Sequence, residues 1–109
     1  MINSSSTIVD IKDIPTTWIF EYYGNLSEKL VGQDVKIKSL FNPDERTPSF
    51  CIYVVNNYYR FKDFSSGKHG TAEQFVQQLY GISYGDAVNK IISDYSRYLS
   101  GGKITTDID

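Results

Sequence analysis

Thiols and imidazoles are scarce in this chain of 109 residues, which holds one cysteine, Cys51, and one histidine, His69. A lone cysteine excludes an internal disulfide and any multi-thiolate metal site within one chain, and a lone histidine argues equally against a His-based metal cage. No cofactor is therefore expected. No apolar run approaches the roughly 20 residues that span a bilayer, so no membrane partner is expected either. The start, Met1 to Ser6, lacks the basic residues and apolar stretch of a secretory signal, and the expected location is the cytoplasm. Three prolines and eight glycines are too few for a collagen-like or low-complexity chain. Aromatic residues are plentiful: nine Tyr, six Phe and one Trp within a hydrophobic content of 40%. That is enough for one packed core at the usual size of a single domain.

The net charge is −2, and it is unevenly spread. Between Asp34 and His69, six basic residues (Lys36, Lys38, Arg46, Arg60, Lys62, Lys68) meet four acidic ones, a local balance of +2. The rest of the chain carries five basic and nine acidic residues, or −4. A basic middle in an acidic protein is a weak pointer to a polyanion.

Periodicity divides the chain. Residues 1–12 read as a flexible, Ser-rich start. Asp13 ahead of Ile14-Pro15 suggests an N-cap, and Trp18, Ile19, Tyr22 and Tyr23 keep helical spacing until Gly24. Val35 and Ile37 alternate with Lys36 and Lys38. From Ser49 to Val55, residues Phe50, Ile52 and Val54 share one side while Cys51, Tyr53 and Val55 share the other. Asn56-Asn57 suits a two-residue hairpin turn, because Asn tolerates the left-handed backbone such turns need. Tyr59 and Phe61 then alternate with Tyr58, Arg60 and Lys62. These segments predict a small antiparallel sheet of about three strands. Its solvent face carries Lys36, Lys38, Tyr53, Tyr58, Arg60 and Lys62. Residues 65–70 read as a loop bearing Lys68 and His69. Thr71 caps a helix to Tyr80 that Gly81 ends, and Ser83 starts a last helix to about Leu99. The fold class is α+β, with one module over residues 13–99 and a flexible tail over 100–109.

Two stretches carry more than propensity: Asn42-Pro43-Asp44-Glu45-Arg46-Thr47-Pro48-Ser49-Phe50, and Tyr59 to Gly70 followed by a helix containing Phe75. Together they resemble the N-terminal zinc-binding domain of bacterial and phage DNA primases. In that family a Cys-Pro-x-His turn leads into a Thr-Pro-Ser-Phe strand, and an aromatic strand runs into a Cys-x-x-Cys knuckle, a Gly and a helix. The resemblance covers about residues 34–95. Matching the strand registers to that family puts the first Cys position on Leu40 and the His position on Pro43, and the knuckle positions on Asp63 and Ser66. None of the four is a zinc ligand, so the resemblance is to a degenerate, metal-free form. Leu40 suggests that packing replaced coordination, and Asp63 is a candidate to hydrogen-bond the loop from Ser65 to Gly67.

The resemblance implies a non-catalytic module of a primase-like replication system, of phage or mobile-element origin, acting in a bacterial cytoplasm. Its implied partners are single-stranded template DNA and a primase catalytic protein or helicase. The candidate DNA-binding residues are Lys36, Lys38, Tyr53, Tyr58, Arg60 and Lys62, with Lys68 and His69 at the rim: cations follow phosphates while tyrosines stack on bases. The alternative is a solvated strand face on a protein-interaction module, an adaptor or inhibitor of a replication protein, which fits the acidic overall balance. Primer synthesis needs acidic metal-binding residues on a separate catalytic fold, which this stretch of chain does not supply. Asp63, Ser65, Ser66 and His69 invite comparison with a hydrolytic triad, but they lie too close in sequence for its geometry and nothing supplies an oxyanion hole.

Overall fold

In the computed structural model, which describes residues 10–42, 44 and 46–101, a 3-10 turn (Ile11–Asp13) leads through Pro15 into helix α1 (Thr16–Tyr23). Four strands follow, β1 (Val35–Ile37), β2 (Phe50–Val55), β3 (Tyr58–Asp63) and β4 (His69–Thr71), then helices α2 (Ala72–Tyr80) and α3 (Tyr84–Leu99). The strands form one antiparallel sheet in the order β1-β2-β3-β4. The α+β class is as expected, with one strand more than the sequence suggested. Pro43, Glu45, residues 1–9 and residues 102–109 lie outside the described residues, and with them most of the expected flexible start and tail.

Local chemistry explains most of these elements. Asn56 and Asn57 both take positive φ (52° and 70°), so β2 and β3 join by the tight turn whose twist matches the strands. Thr71 caps α2 with a reciprocal box: its hydroxyl accepts from the Gln74 N–H, and the Gln74 side chain accepts from the Thr71 N–H. Gly81 closes that helix in the left-handed conformation, φ 65°. Ser83 caps α3 by accepting from the Asp86 N–H. The start of α1 departs from expectation. Asp13 ends the 3-10 turn, which Asp10 caps through the Lys12 N–H, and Pro15 opens the helix without a side-chain cap. What holds α1 is burial: Trp18, Ile19, Phe20 and Tyr23 all reach the core.

The sequence predicts loop where β4 lies, since three residues with a central Gly carry no strand pattern. Pairing with β3 makes it a strand: Arg60, Phe61 and Lys62 face Thr71, Gly70 and His69. Gly70 sits at φ 149° against Gln74, where a Cβ atom would lie 2.3 Å from Gln74 Oε1.

Strand alternation sends Val35, Ile52, Phe61 and Gly70 to one face in a single row across the sheet, with Phe50 and Asp63 paired in the next. The helices supply the opposing layer. Phe20, Phe50, Phe61 and Phe75 are fully buried, with Phe50 and Phe61 stacked at 5.5 Å and Phe20 and Phe75 at 5.1 Å. Aromatic pairs at such spacing add to the effect of buried area. A polar tie joins α1 to α3: the Tyr23 hydroxyl donates to Asp94 Oδ2 at 2.6 Å, and Lys90 and Arg97 pair with the same carboxylate. Burial, then the bond to Asp94 and its charge, hold the Tyr23 phenol well above the usual tyrosine range. No described helix is long and apolar enough to cross a membrane.

Candidate nucleic-acid interface

The face of the sheet turned away from the core gathers the candidate residues. Lys36, Cys51, Lys62 and His69 stand opposite one another in register, one from each strand. With strands about 4.8 Å apart, the backbones under Lys36 and Lys62 are roughly 10 Å apart. Tyr53, Arg60 and Thr71 form the adjacent row, and Val55 pairs with Tyr58 beyond it. Lys36, Lys62, His69 and Tyr58 are exposed, and Tyr53, Arg60 and Cys51 are half-buried. Tyr58 leaves 66% of its surface open. Lys38 is exposed just past β1, and Ser39 beside it is buried, so the alternation continues there.

Two of the cations have aromatic neighbours. The Lys62 ammonium lies 5.1 Å from the centre of the exposed Phe64 ring. Lys68 is turned elsewhere, its ammonium 5.7 Å from the centre of Phe41, a ring that packs against the core. Lys68 is thus set apart from the row formed by Lys36, Lys62 and His69. Burial holds the Cys51 thiol above its ordinary pKa, and Asp34 adds to this while Lys36 opposes it. A groove of about 470 Å³ opens beside the face, lined by Ile11, Ile14, Val55, Tyr58, Arg60 and Glu73 among others.

At the far end of the sheet two turns meet. Asp63 is fully buried, and its Oδ2 accepts from Ser39 Oγ (2.9 Å), Ser66 Oγ (2.5 Å) and the Ser66 N–H (3.0 Å). Ser39 Oγ in turn accepts from the Phe41 and Asn42 N–H groups. The Asn42 carboxamide donates to Ser65 Oγ at 2.8 Å. Asp63 Oδ1 and Ser49 Oγ are buried without a hydrogen-bond partner among the described residues. Asp63 belongs to the core side and His69 to the open face, so these residues do not assemble into a catalytic triad. As expected, Asp63 holds the following loop. Leu40, also as expected, packs half-buried against the core, while Ser39 and Asn42, to which the sequence pattern assigns no such part, join the polar cluster. Pro43 lies outside the described residues. The signal that separates the pairs is side-chain chemistry: Ser39-x-x-Asn42 carries polar groups at the interval of Asp63-x-x-Ser66, whereas Leu40-x-x-Pro43, with the same interval, carries none.

Two short turns facing each other at the end of an antiparallel sheet, with a helix following the second, form a zinc-ribbon arrangement. A family model described as CHC2 zinc finger, the DnaG zinc ribbon, matches residues 7–105. The chain belongs to this family. No curated protein and no solved structure matches it. The CHC2 family implies a zinc ion, and the donors present do not suit one. A carboxylate, two hydroxyls and a carboxamide meet at the turns, whereas structural zinc takes Cys and His. Among the described residues no group of three or more His, Cys, Asp or Glu could hold a metal ion. This CHC2 domain is a degenerate form.

Proposed function

We propose that this primase-related domain binds single-stranded template DNA on the open face of its sheet and, without catalytic activity of its own, helps a separate polymerising or helicase protein choose where to start. The observation that carries the proposal is the convergence of Lys36, Lys38, Arg60 and Lys62 with Tyr53 and Tyr58 on one face. Cations at strand spacing follow a phosphate chain, and a tyrosine as open as Tyr58 offers a base a stacking surface worth about 1–3 kcal/mol. His69 extends the row at its edge. Lys68 takes a lesser part, since its ammonium is directed to Phe41. Such a module belongs in the bacterial cytoplasm, in the replication of a phage or mobile element. The test is fluorescence anisotropy of a labelled single-stranded oligonucleotide at about 50 and 200 mM salt. Binding that weakens steeply between the two supports the proposal, and no binding at the lower salt refutes it for this chain.

One observation favours a second reading, docking on a replication protein. Tyr22 (48% exposed) and Tyr98 (53%) pack on Trp18 from helices α1 and α3, and Leu99 (59%), next to Tyr98 in the chain, is exposed as well. Exposed aromatic clusters of this kind suit protein contacts. Docking there predicts loss of partner binding in Tyr22→Ala/Tyr98→Ala with DNA binding unchanged.

A further inference from the structure

The two turns that meet at Asp63 are built alike. In each, a polar side chain is followed by another three residues later: Ser39 and Asn42 on one turn reach Asp63 and Ser65 on the other, and Ser66 donates to Asp63 within its own turn. The second turn is closed by its own backbone, with the Gly67 N–H donating to Asp63 O and the Asp63 N–H to Lys68 O. The first is closed through a side chain, the Ser39 hydroxyl accepting from two successive N–H groups. A single oxygen, Asp63 Oδ2, then takes three donors and joins the two.

From this arrangement we infer that Ser39, Asn42, Asp63 and Ser66 occupy the four ligand places of this family, and that a hydrogen-bonded knot centred on Asp63 replaces the zinc as the tie between the turns. The spacing allows the assignment, since both pairs are three apart as Leu40 and Pro43 also are, and the hydrogen bonds across the turns choose between them. The segment between Asn42 and Thr47 is then one residue longer than the register match assumes, which is why that match falls on Leu40 and Pro43. Chemistry supports it as well. Structural zinc joins two turns by bonding to side chains from both. A buried carboxylate accepting three hydrogen bonds spans the same gap with one side chain, and charge-assisted bonds of this kind are the strong ones. Leu40, by contrast, turns to the apolar core. The knot needs neither a metal nor a reduced thiol, so the fold is indifferent to chelators and to oxidants that strip thiolate-held zinc.

Two sets of substitutions in the full-length chain test the assignment. The first carries Ser39→Cys, Asn42→His, Asp63→Cys and Ser66→Cys, and the second carries Leu40→Cys and Pro43→His with the same changes at Asp63 and Ser66. Each is titrated with cobalt(II) under reducing conditions, and Cys51 is present in both. The first set is expected to take up one cobalt per chain with thiolate charge-transfer and tetrahedral d–d bands. The second is expected to bind at least ~10-fold more weakly. Equal or tighter binding by the second set, or no tetrahedral spectrum from the first whether folded or not, overturns the assignment. In the native background, EDTA should leave the Tm unchanged. Ser39→Ala and Asp63→Asn should each lower it by about 4 °C or more, and the double substitution by little more than the larger single effect. A Ser39→Ala variant as stable as the native chain, or fully additive losses, overturns the knot.

Discussion

If the open face of the sheet holds a DNA backbone, its salt dependence is set by how many cations stand on it. Register puts Lys36, Arg60 and Lys62 there, and the alternation carried one step past β1 adds the exposed Lys38, four in all. For single strands, the logarithm of the binding constant falls with the logarithm of salt by about 0.7 per neutralised phosphate. Four contacts give a slope of about 2.8, so raising salt from about 50 to 200 mM should weaken binding roughly 50-fold. Arg60→Ala/Lys62→Ala leaves two contacts and a slope of about 1.4, and the same salt step should then cost only about 7-fold. Neither side chain reaches the core, so the fold should survive with a stability change of about 1 kcal/mol or less. Lys68→Ala is the control. Its ammonium sits over Phe41 rather than on the face, and its slope should stay much closer to that of the native chain than the double variant's does. The assay is anisotropy of one labelled oligonucleotide at four or five salt concentrations for each variant, with circular dichroism to confirm folding. An unchanged slope in the double variant refutes the assignment of these cations to the strand. So does a Lys68→Ala effect of the same size.

Other outcomes follow from features off the charge count. Cys51 lies in register between Lys36 and Lys62, so an oligonucleotide on that face should slow its alkylation by N-ethylmaleimide several-fold. Without DNA the burial-raised thiol should still react more slowly than a free cysteine at neutral pH, as read by mass spectrometry. Tyr23 ionises near pH 10 in the unfolded chain but remains a phenol in the fold, because burial and Asp94 raise its pKa. Its contribution is whole below pH 10 and is lost above it, by up to about 1.4 kcal/mol per pH unit. Urea unfolding of Tyr23→Phe should accordingly show a shallower decline between pH 10 and 11 than the native chain. Phe61→Ala removes a fully buried ring that touches Phe20, Phe50 and Phe75 and should cost about 3–5 kcal/mol by the same measurement.

What the sequence disclosed was local. Asn56-Asn57 announced its hairpin because the conformation it needs is one Asn tolerates, and the hairpin then fixed which side chains of β2 and β3 share a face. Thr71, Gly81 and Ser83 marked helix ends through bonds spanning three or four residues. The misses were decided by partners distant in sequence. His69-Gly70-Thr71 has no strand character until β3 lies beside it. Ser39 is an ordinary polar residue until Asp63 arrives from 24 residues away. The parity of Lys36 and Lys62 was legible; the departure of Lys68 toward Phe41 was not, because alternation ends where β3 does.

The sheet is bounded by its two shortest strands. β1 and β4 have three residues each, against six in β2 and β3. An incoming chain seeking to add a strand would find a border too short for more than a few backbone hydrogen bonds, with the charged Lys36 at the middle of one and Gly70 at the middle of the other. Growth by edge pairing, the route by which small sheets polymerise, is therefore closed at both sides. If the flat of the sheet holds a strand as proposed, copies of the protein bound side by side would have little edge by which to knit into one another.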